Sequence, residues 1–277
     1  MLKEAGLKTD SKRTVIKIGN VLIGGDEVIM MAGPCAIESE EQLIEIGLSL
    51  REMGVPILRA SAYKPRTSPY AFQGLGEEGL KMHLAAKKHH GLLIETEVMD
   101  PRDVAIAAKY VDILRVGARN MQNYDLLKEL GKCGKPVILK RGLSAHIEEW
   151  LLSAEYLMAH GNPDVILCER GIRTFETLTR STLDVSAVAI AKTLTHLPII
   201  IDPSHAAGRP DIIPALSKAA VAVGADGLLI EVHPTPALSK CDAKHALSPA
   251  EFRVLQHEVA NVARAVGRSM NEEAITW

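Results

Sequence analysis

The sequence predicts an α/β protein, a (β/α)8 barrel with a short N-terminal β-hairpin at its bottom, and three observations carry that expectation. Eight short aliphatic runs recur with starts 21 to 35 residues apart, the length of a strand plus a returning helix. The stretches between them read mostly as amphipathic helices. The 277 residues show no linker and no break in composition, and one such barrel takes roughly 250 residues. Residues 1–277 therefore read as a single domain, with 1–25 as an extension.

In chain order, Ile16, Ile18, Val21 and Ile23 alternate around Gly19–Asn20, the pattern of a hairpin with a two-residue turn. Run one is 28–35 (VIMMAGPC). A helix follows it: Ser39 with Gln42 makes a capping-box pattern before Leu43, Ile46 and Leu50, and Gly54 marks the stop. The other runs are 57–63, 92–98, 113–118, 136–142, 164–171, 197–205 and 227–234. The last helix lies in 248–267. There Ser248 caps, Pro249 suits the first helical position, Glu251 completes the box, and Phe252, Leu255, Val259, Val262 and Val266 step by three and four.

Composition excludes several function classes. Hydrophobic residues make up 47% and aromatics 4%, so the core is aliphatic. No apolar run reaches the roughly 18 residues of a membrane span, and residues 1–13 lack the apolar centre of a signal peptide, which implies a soluble cytoplasmic protein. Thirty-two Lys and Arg against thirty-four Asp and Glu give a net charge of −2, which argues against nucleic acid or an anionic membrane as partner. The four cysteines, Cys35, Cys133, Cys168 and Cys241, are far apart and read as reduced thiols.

Each run is apolar at its start and reactive at or just beyond its end: Cys35, Glu97, Arg119, Lys140, Arg170, His205 and Glu231. In a parallel barrel these ends meet at one mouth, where such enzymes place their chemistry. Cys35, His205 and Glu231 end runs one, seven and eight, neighbours in a closed barrel, and Asp242 follows run eight. Mixed sulfur, nitrogen and oxygen donors suit a divalent first-row transition metal. Cys35 as a small buried hydrophobe, or His233, His245 and Cys241 as substitute ligands, remain open on this reading. Arg59, Lys64, Arg66, Arg115, Arg119, Lys140, Arg141 and Arg170 also map to run ends or the loops that follow. They would bind small polyanions or pair with Glu38, Glu95, Glu97 and Glu169. Lys140 beside Arg141 is further compatible with a Schiff-base aldolase, and the cationic mouth alone with a non-catalytic phosphometabolite-binding barrel.

The motifs GPCAIES (33–39), LRASAYKPRTSPYAFQGLG (58–76), ILRVGARNMQN (113–123), ILKRG (138–142), CERGIRTFE (168–176), IIDPSHAAGR (200–209) and IEVHP (230–234) resemble the type I beta group of 3-deoxy-D-arabino-heptulosonate 7-phosphate (DAHP) synthases. The likeness runs from about Gly25 to Asn271. It implies condensation of phosphoenolpyruvate with erythrose 4-phosphate at the entrance to the shikimate pathway, a transferase reaction. The sister family, 3-deoxy-manno-octulosonate 8-phosphate synthase, takes arabinose 5-phosphate and typically carries a KANRS-like loop where this chain has KPRTSPY. The resemblance also implies one divalent metal per subunit (Mn, Zn, Fe or Co) on Cys35, His205, Glu231 and Asp242. It puts the phosphoenolpyruvate phosphate on Arg119 and Arg170, that substrate's carboxylate and enol near Arg59, Lys64 and Lys140, and Ala118 among the residues that bind it. The erythrose 4-phosphate phosphate falls to Arg66 and Thr67, and Glu97 to handling water or a proton. A homotetramer is implied too, without the separate regulatory or chorismate mutase domain of some relatives, which leaves room for a separate regulatory partner.

Overall fold

The computed structural model describes residues 2–8 and 12–271; positions 1 and 9–11, part of the leader reading, and the last six of the 1–277 domain lie outside the described residues. The hairpin forms from β1 (Ile16–Ile18) and β2 (Val21–Ile23), antiparallel in register Ile16 to Ile23. Eight parallel strands follow: β3 (Ile29–Gly33), β4 (Ile57–Arg59), β5 (Leu93–Val98), β6 (Ile113–Val116), β7 (Val137–Lys140), β8 (Val165–Glu169), β9 (Ile199–Ile201) and β10 (Gly227–Glu231). They close into a barrel in sequence order, with β10 pairing both β9 and β3. The helices are α1 (Glu40–Glu52), α2 (Gly76–His90), α3 (Pro101–Tyr110), α4 (Tyr124–Lys132), α5 (Ile147–Ala159), α6 (Val185–Leu194), α7 (Pro203–Ala207), α8 (Ile213–Ala222) and α9 (Pro249–Ala265).

The strands are apolar on both faces because each is covered on both sides. Ile29, Met31, Ile57, Ile113, Ile138, Ile166, Ile200 and Leu229 form one cluster with Ile16, Ile18 and Ile23 of the hairpin, so the hairpin plugs the bottom as expected. Alternation with period two then sets the upper layer. Two residues beyond an inward aliphatic stand Arg59, Glu95, Arg115, Lys140, Asp202 and Glu231, all at most 3% exposed.

Local differences from the sequence reading have physical causes. Ser39 accepts from the backbone of Gln42, but the Gln42 side chain bonds the amide of Glu38 at 3.0 Å and His233 at 2.9 Å, so only half of that capping box forms. The Ser248–Glu251 box is complete, yet Val266 is the exposed C-cap of α9 and the buried stripe ends on Ala260 and Ala263. His205 does not end a strand: Asp202 caps α7, whose first residue is Pro203, and His205 lies inside that short helix. Glu38 pairs with no mouth cation; it accepts from Ser239 and the Lys240 amide.

Helix α2 carries an acid-sensitive element. His83 and His90 are buried, the first with its ring 3.4 Å from the Glu95 carbonyl oxygen of β5 and the second against α1, where a Cβ at Gly47 would lie 2.4 Å from the His90 ring. Burial holds them near 3 and 4. Below the unfolded value of roughly 6.5 only the unfolded chain takes up these protons, so the stability they contribute is complete above pH 6.5 and declines as pH falls toward the folded values. For His83 the expected loss between pH 7.5 and 5.5 is about 1.4 kcal/mol. Denaturant unfolding of wild type and His83→Gln at both pH values checks it; equal pH slopes refute it.

Candidate active site

The upper ends of the strands surround a cavity of about 290 Å³ lined by Lys64, Arg66, Thr67, Glu97, Arg115, Ala118, Arg119, Lys140, Arg170, Arg180, His205 and Asp242, among others. At its floor the donor atoms of Cys35, His205, Glu231 and Asp242 all lie within 4.8 Å of one another. They come from four places: the turn after β3, α7, the end of β10 and the loop before α9. Gly33 makes the first possible, since at φ +148 a Cβ there would lie 2.2 Å from the Arg59 carbonyl oxygen. Asp242, at φ +58, is the only non-glycine residue with positive φ among the described residues, a conformation Asp tolerates better than most.

Within the cluster, the Cys35 thiol is 3.2 Å from Asp242 Oδ2, and His205 Nε2 is 3.2 Å from Glu231 Oε1 and 3.8 Å from Asp242 Oδ2. Asp202 Oδ2 stands 2.7 Å from His205 Nδ1, which leaves Nε2 as the outward nitrogen. Burial holds His205 near 3, neutral and ligand-ready, although Asp202 and Glu231 pull upward. Two carboxylates and a thiol converging with a neutral imidazole fit a divalent transition ion. His233 is committed elsewhere, one ring nitrogen to Gln42 and the other to the Thr235 amide. His245 is close, 3.0 Å from Glu231 Oε2; burial opposes its charge, but Asp242 and Glu231 raise it to about 9. Cys241 sits 3.2 Å from the Cys35 sulfur, and contact with it, then burial, raises the Cys35 thiol.

The cations divide in two. Arg59, fully buried, bonds Glu231 Oε1 at 2.8 Å and lies behind the cavity wall, its Nε and Nη2 without partners among the described residues. Arg115 joins Glu95 (2.6 Å), Glu97 (3.0 Å) and Ser61 (2.7 Å). Lys140 pairs with Asp202, and Arg141 with Glu169 and Asp184. Arg66, Thr67, Arg119 and Arg170 line the cavity together with the carboxylate-paired Arg115 and Lys140; Arg170 is fixed by Ser181 Oγ (2.8 Å) and the His205 carbonyl (3.1 Å), and Arg119 Nη2 is 3.5 Å from Thr67 Oγ1. Lys64 donates to the Cys35 sulfur at 3.0 Å. Sequence reasoning missed Asp202 and Arg180; the Asp-Pro start of α7 was the available signal for the first.

Glu97 is held as an anion. Burial pushes its carboxyl up, but Arg115, Lys64, Lys140 and His205 together bring it below its ordinary value. Gly117 backs it so closely that a Cβ there would lie 2.1 Å from Glu97 Oε1. Gly117→Ala is therefore expected to displace Glu97 and lower kcat about 10-fold or more with a small change in Tm; unchanged kcat would show that Glu97 yields freely.

The sequence model of the DAHP synthetase I family matches residues 7–267. The chain belongs to that family. It is 50% identical over 258 residues to a phospho-2-dehydro-3-deoxyheptonate aldolase of Thermotoga maritima, covering 93% of this chain and 76% of that protein. A 2-dehydro-3-deoxyphosphooctonate aldolase of Acidithiobacillus ferrooxidans is 32% identical over 251 residues, 82% of this chain and 88% of that one. Among solved structures, DAHP synthase of Thermotoga maritima superposes with TM-score 0.94 at 48% identity, covering 98% of this chain and 79% of that chain. A truncated form of the enzyme from the same organism gives TM-score 0.90 at 45% identity, covering 96% and 98%. Among the described residues no helix is long and apolar enough to cross a membrane.

Proposed function

We propose that this DAHP synthetase I family member condenses phosphoenolpyruvate with erythrose 4-phosphate and water to DAHP and phosphate, the first step of the shikimate pathway, and that it depends on a divalent metal. The observation carrying this is one donor set, Cys35, His205, Glu231 and Asp242, at the floor of a cavity walled by Lys140, Arg170, Arg119 and Arg66. A divalent ion held there supplies Lewis-acid polarisation for the sugar's aldehyde; Mn, Zn, Fe and Co all suit the donors.

The chain's own side chains do the rest. Arg119, Arg170 and the Ala118 amide hold the phosphoenolpyruvate phosphate. Lys140, kept oriented by Asp202, and Lys64 face its carboxylate and enol, with the unpartnered nitrogens of Arg59 behind. Arg66 and Thr67 hold the sugar's phosphate. Fixing two anions at reacting distance overcomes their repulsion and supplies much of the rate. As the enol carbon attacks, positive character builds at C2, where water adds; anionic Glu97 accepts the water proton, and C–O cleavage releases phosphate.

Two facts support the four-carbon sugar over arabinose 5-phosphate: the KPRTSPY loop with Arg66 and Thr67 on the cavity, and 50% against 32% identity to the two kinds of relative. Burial, then Arg115 and Arg59, lower the Lys140 pKa in the direction an imine needs, but its ion pair with Asp202 holds the ammonium form and Arg141 faces away, which disfavours an imine there. A homotetramer in a reducing cytoplasm is part of this reading, supported by the exposed rim side chains Tyr70, Phe175, Leu178 and Leu238 and by four free cysteines. The test follows the phosphoenolpyruvate double-bond absorbance after chelation and metal return. Metal-restored consumption with erythrose 4-phosphate alone is expected; preference for arabinose 5-phosphate, or no consumption, overturns it.

A further inference from the structure

Beside the main cavity lies a second one of about 120 Å³, lined by Arg119, Arg170 and Arg180, which face both, and by Leu143, Arg173 and Ser181. Four guanidiniums therefore meet around a small space. The carboxylates that could neutralise them are turned away. Among the described residues Asp242 alone pairs with the group, reaching Arg180 at 3.4 Å. Glu176, on the same loop, spends its carboxylate on the amides of Thr177 (2.7 Å) and Leu178 (2.6 Å), and Arg173 has no ion-pair partner among the described residues. An anion in that space would relieve the repulsion among these guanidiniums, of which Arg119, Arg173 and Arg180 are solvent-exposed and Arg170 is buried.

The loop that presents Arg173 and Arg180 is fixed. Ile172 and Thr182 exchange two backbone hydrogen bonds of 2.9 Å, Arg180 and Ser181 donate their amides to Ala207 and Ala206 of α7, and the Arg173 amide bonds the Leu143 carbonyl at 2.6 Å. Ser181, nearly fully buried, in turn anchors Arg170. The loop backbone and Arg170 are thus fixed, and the exposed Arg119, Arg173 and Arg180 complete a cradle suited to a tetrahedral oxyanion, which shares Arg119 and Arg170 with the place given above to the phosphoenolpyruvate phosphate.

We propose that this side cavity is a separate binding site for inorganic phosphate, into which the phosphate released by the reaction moves without leaving guanidinium contact. The second half of that statement rests on the function proposed above; the binding site does not. Phosphate occupying it coexists with phosphoenolpyruvate in the main cavity, so phosphate inhibition has a component that excess phosphoenolpyruvate does not relieve.

The experiment titrates inorganic phosphate by calorimetry into chelated protein saturated with phosphoenolpyruvate, for wild type and Arg173→Gln, with the phosphoenolpyruvate Kd measured separately. Expected is phosphate binding to the saturated wild type, weakened about 10-fold in Arg173→Gln with the phosphoenolpyruvate Kd unchanged. The site is overturned if saturated wild type binds no phosphate, if Arg173→Gln binds it equally well, or if both ligands weaken in proportion. Sulfate titrated in place of phosphate separates the sources of affinity: equal binding and equal loss in the variant would mean an unselective anion site and overturn a phosphate site. Because the readout is binding, an enzyme inactive toward erythrose 4-phosphate would remove the proposed reaction and leave this site standing.

Discussion

Cys35→Ala is expected to lose its divalent metal and, with it, turnover on the order of 10³-fold, the equivalent of about 4 kcal/mol. The thiol is the one soft donor in the set of four, and its Sγ lies 3.2 Å from Asp242 Oδ2. Its removal should barely touch the fold. Cys35 packs in a small satellite cluster with Ala36 and Cys241, outside the two large cores, so the metal-free variant should melt within about 1 kcal/mol of metal-free wild type. The neighbouring sulfur makes the experiment sharper: Cys241 is 3.2 Å away and accepts from Arg66. If Cys35 is the ligand, Cys241→Ala keeps its metal and Cys35→Ala does not. Metal per chain, measured after loading and gel filtration, decides it; full occupancy in Cys35→Ala with loss in Cys241→Ala would exchange the two roles.

Much of this arrangement was legible in the residues because strand length and reactive residue type coincide. Eight runs of the right spacing permit few folds, and a polar group closing an aliphatic run marks the barrel's C-terminal mouth. What escaped was the layer beneath. Asp202 reads as an ordinary helix cap, and only its inward position two residues after Ile200 aims it at both His205 and Lys140. The partners of the cations were equally hidden, since pairing across the barrel depends on strand register: β5 against β6 puts Glu97 opposite Arg115. Nor could sequence separate cavity-facing arginines from structural ones. Arg59 and Arg119 both follow aliphatic runs, yet one is buried under Glu231 and the other open to the cavity.

Glu97→Gln separates chemistry from scaffold at the other side of the cavity. The amide keeps the side chain's shape and can still accept from Arg115, which retains Glu95 and Ser61 in any case; what it cannot do is take a proton. Loss of a general base predicts a fall in kcat of about 10² to 10⁴-fold, with KM for phosphoenolpyruvate within a few-fold of wild type. The pH profile adds a signature. A base held below its ordinary carboxylate value by Arg115, Lys64, Lys140 and His205 against burial works above its lowered value and fails as pH falls through it, so wild-type activity should hold on the acid side into the ordinary carboxylate range. In Glu97→Gln the acid limb should flatten or move. A variant with normal kcat but lower Tm would instead make Glu97 a counter-ion for Arg115. Water addition at C2 would then need another acceptor, and among the cavity-lining residues the remaining carboxylate is Asp242, already claimed by the donor cluster at the floor.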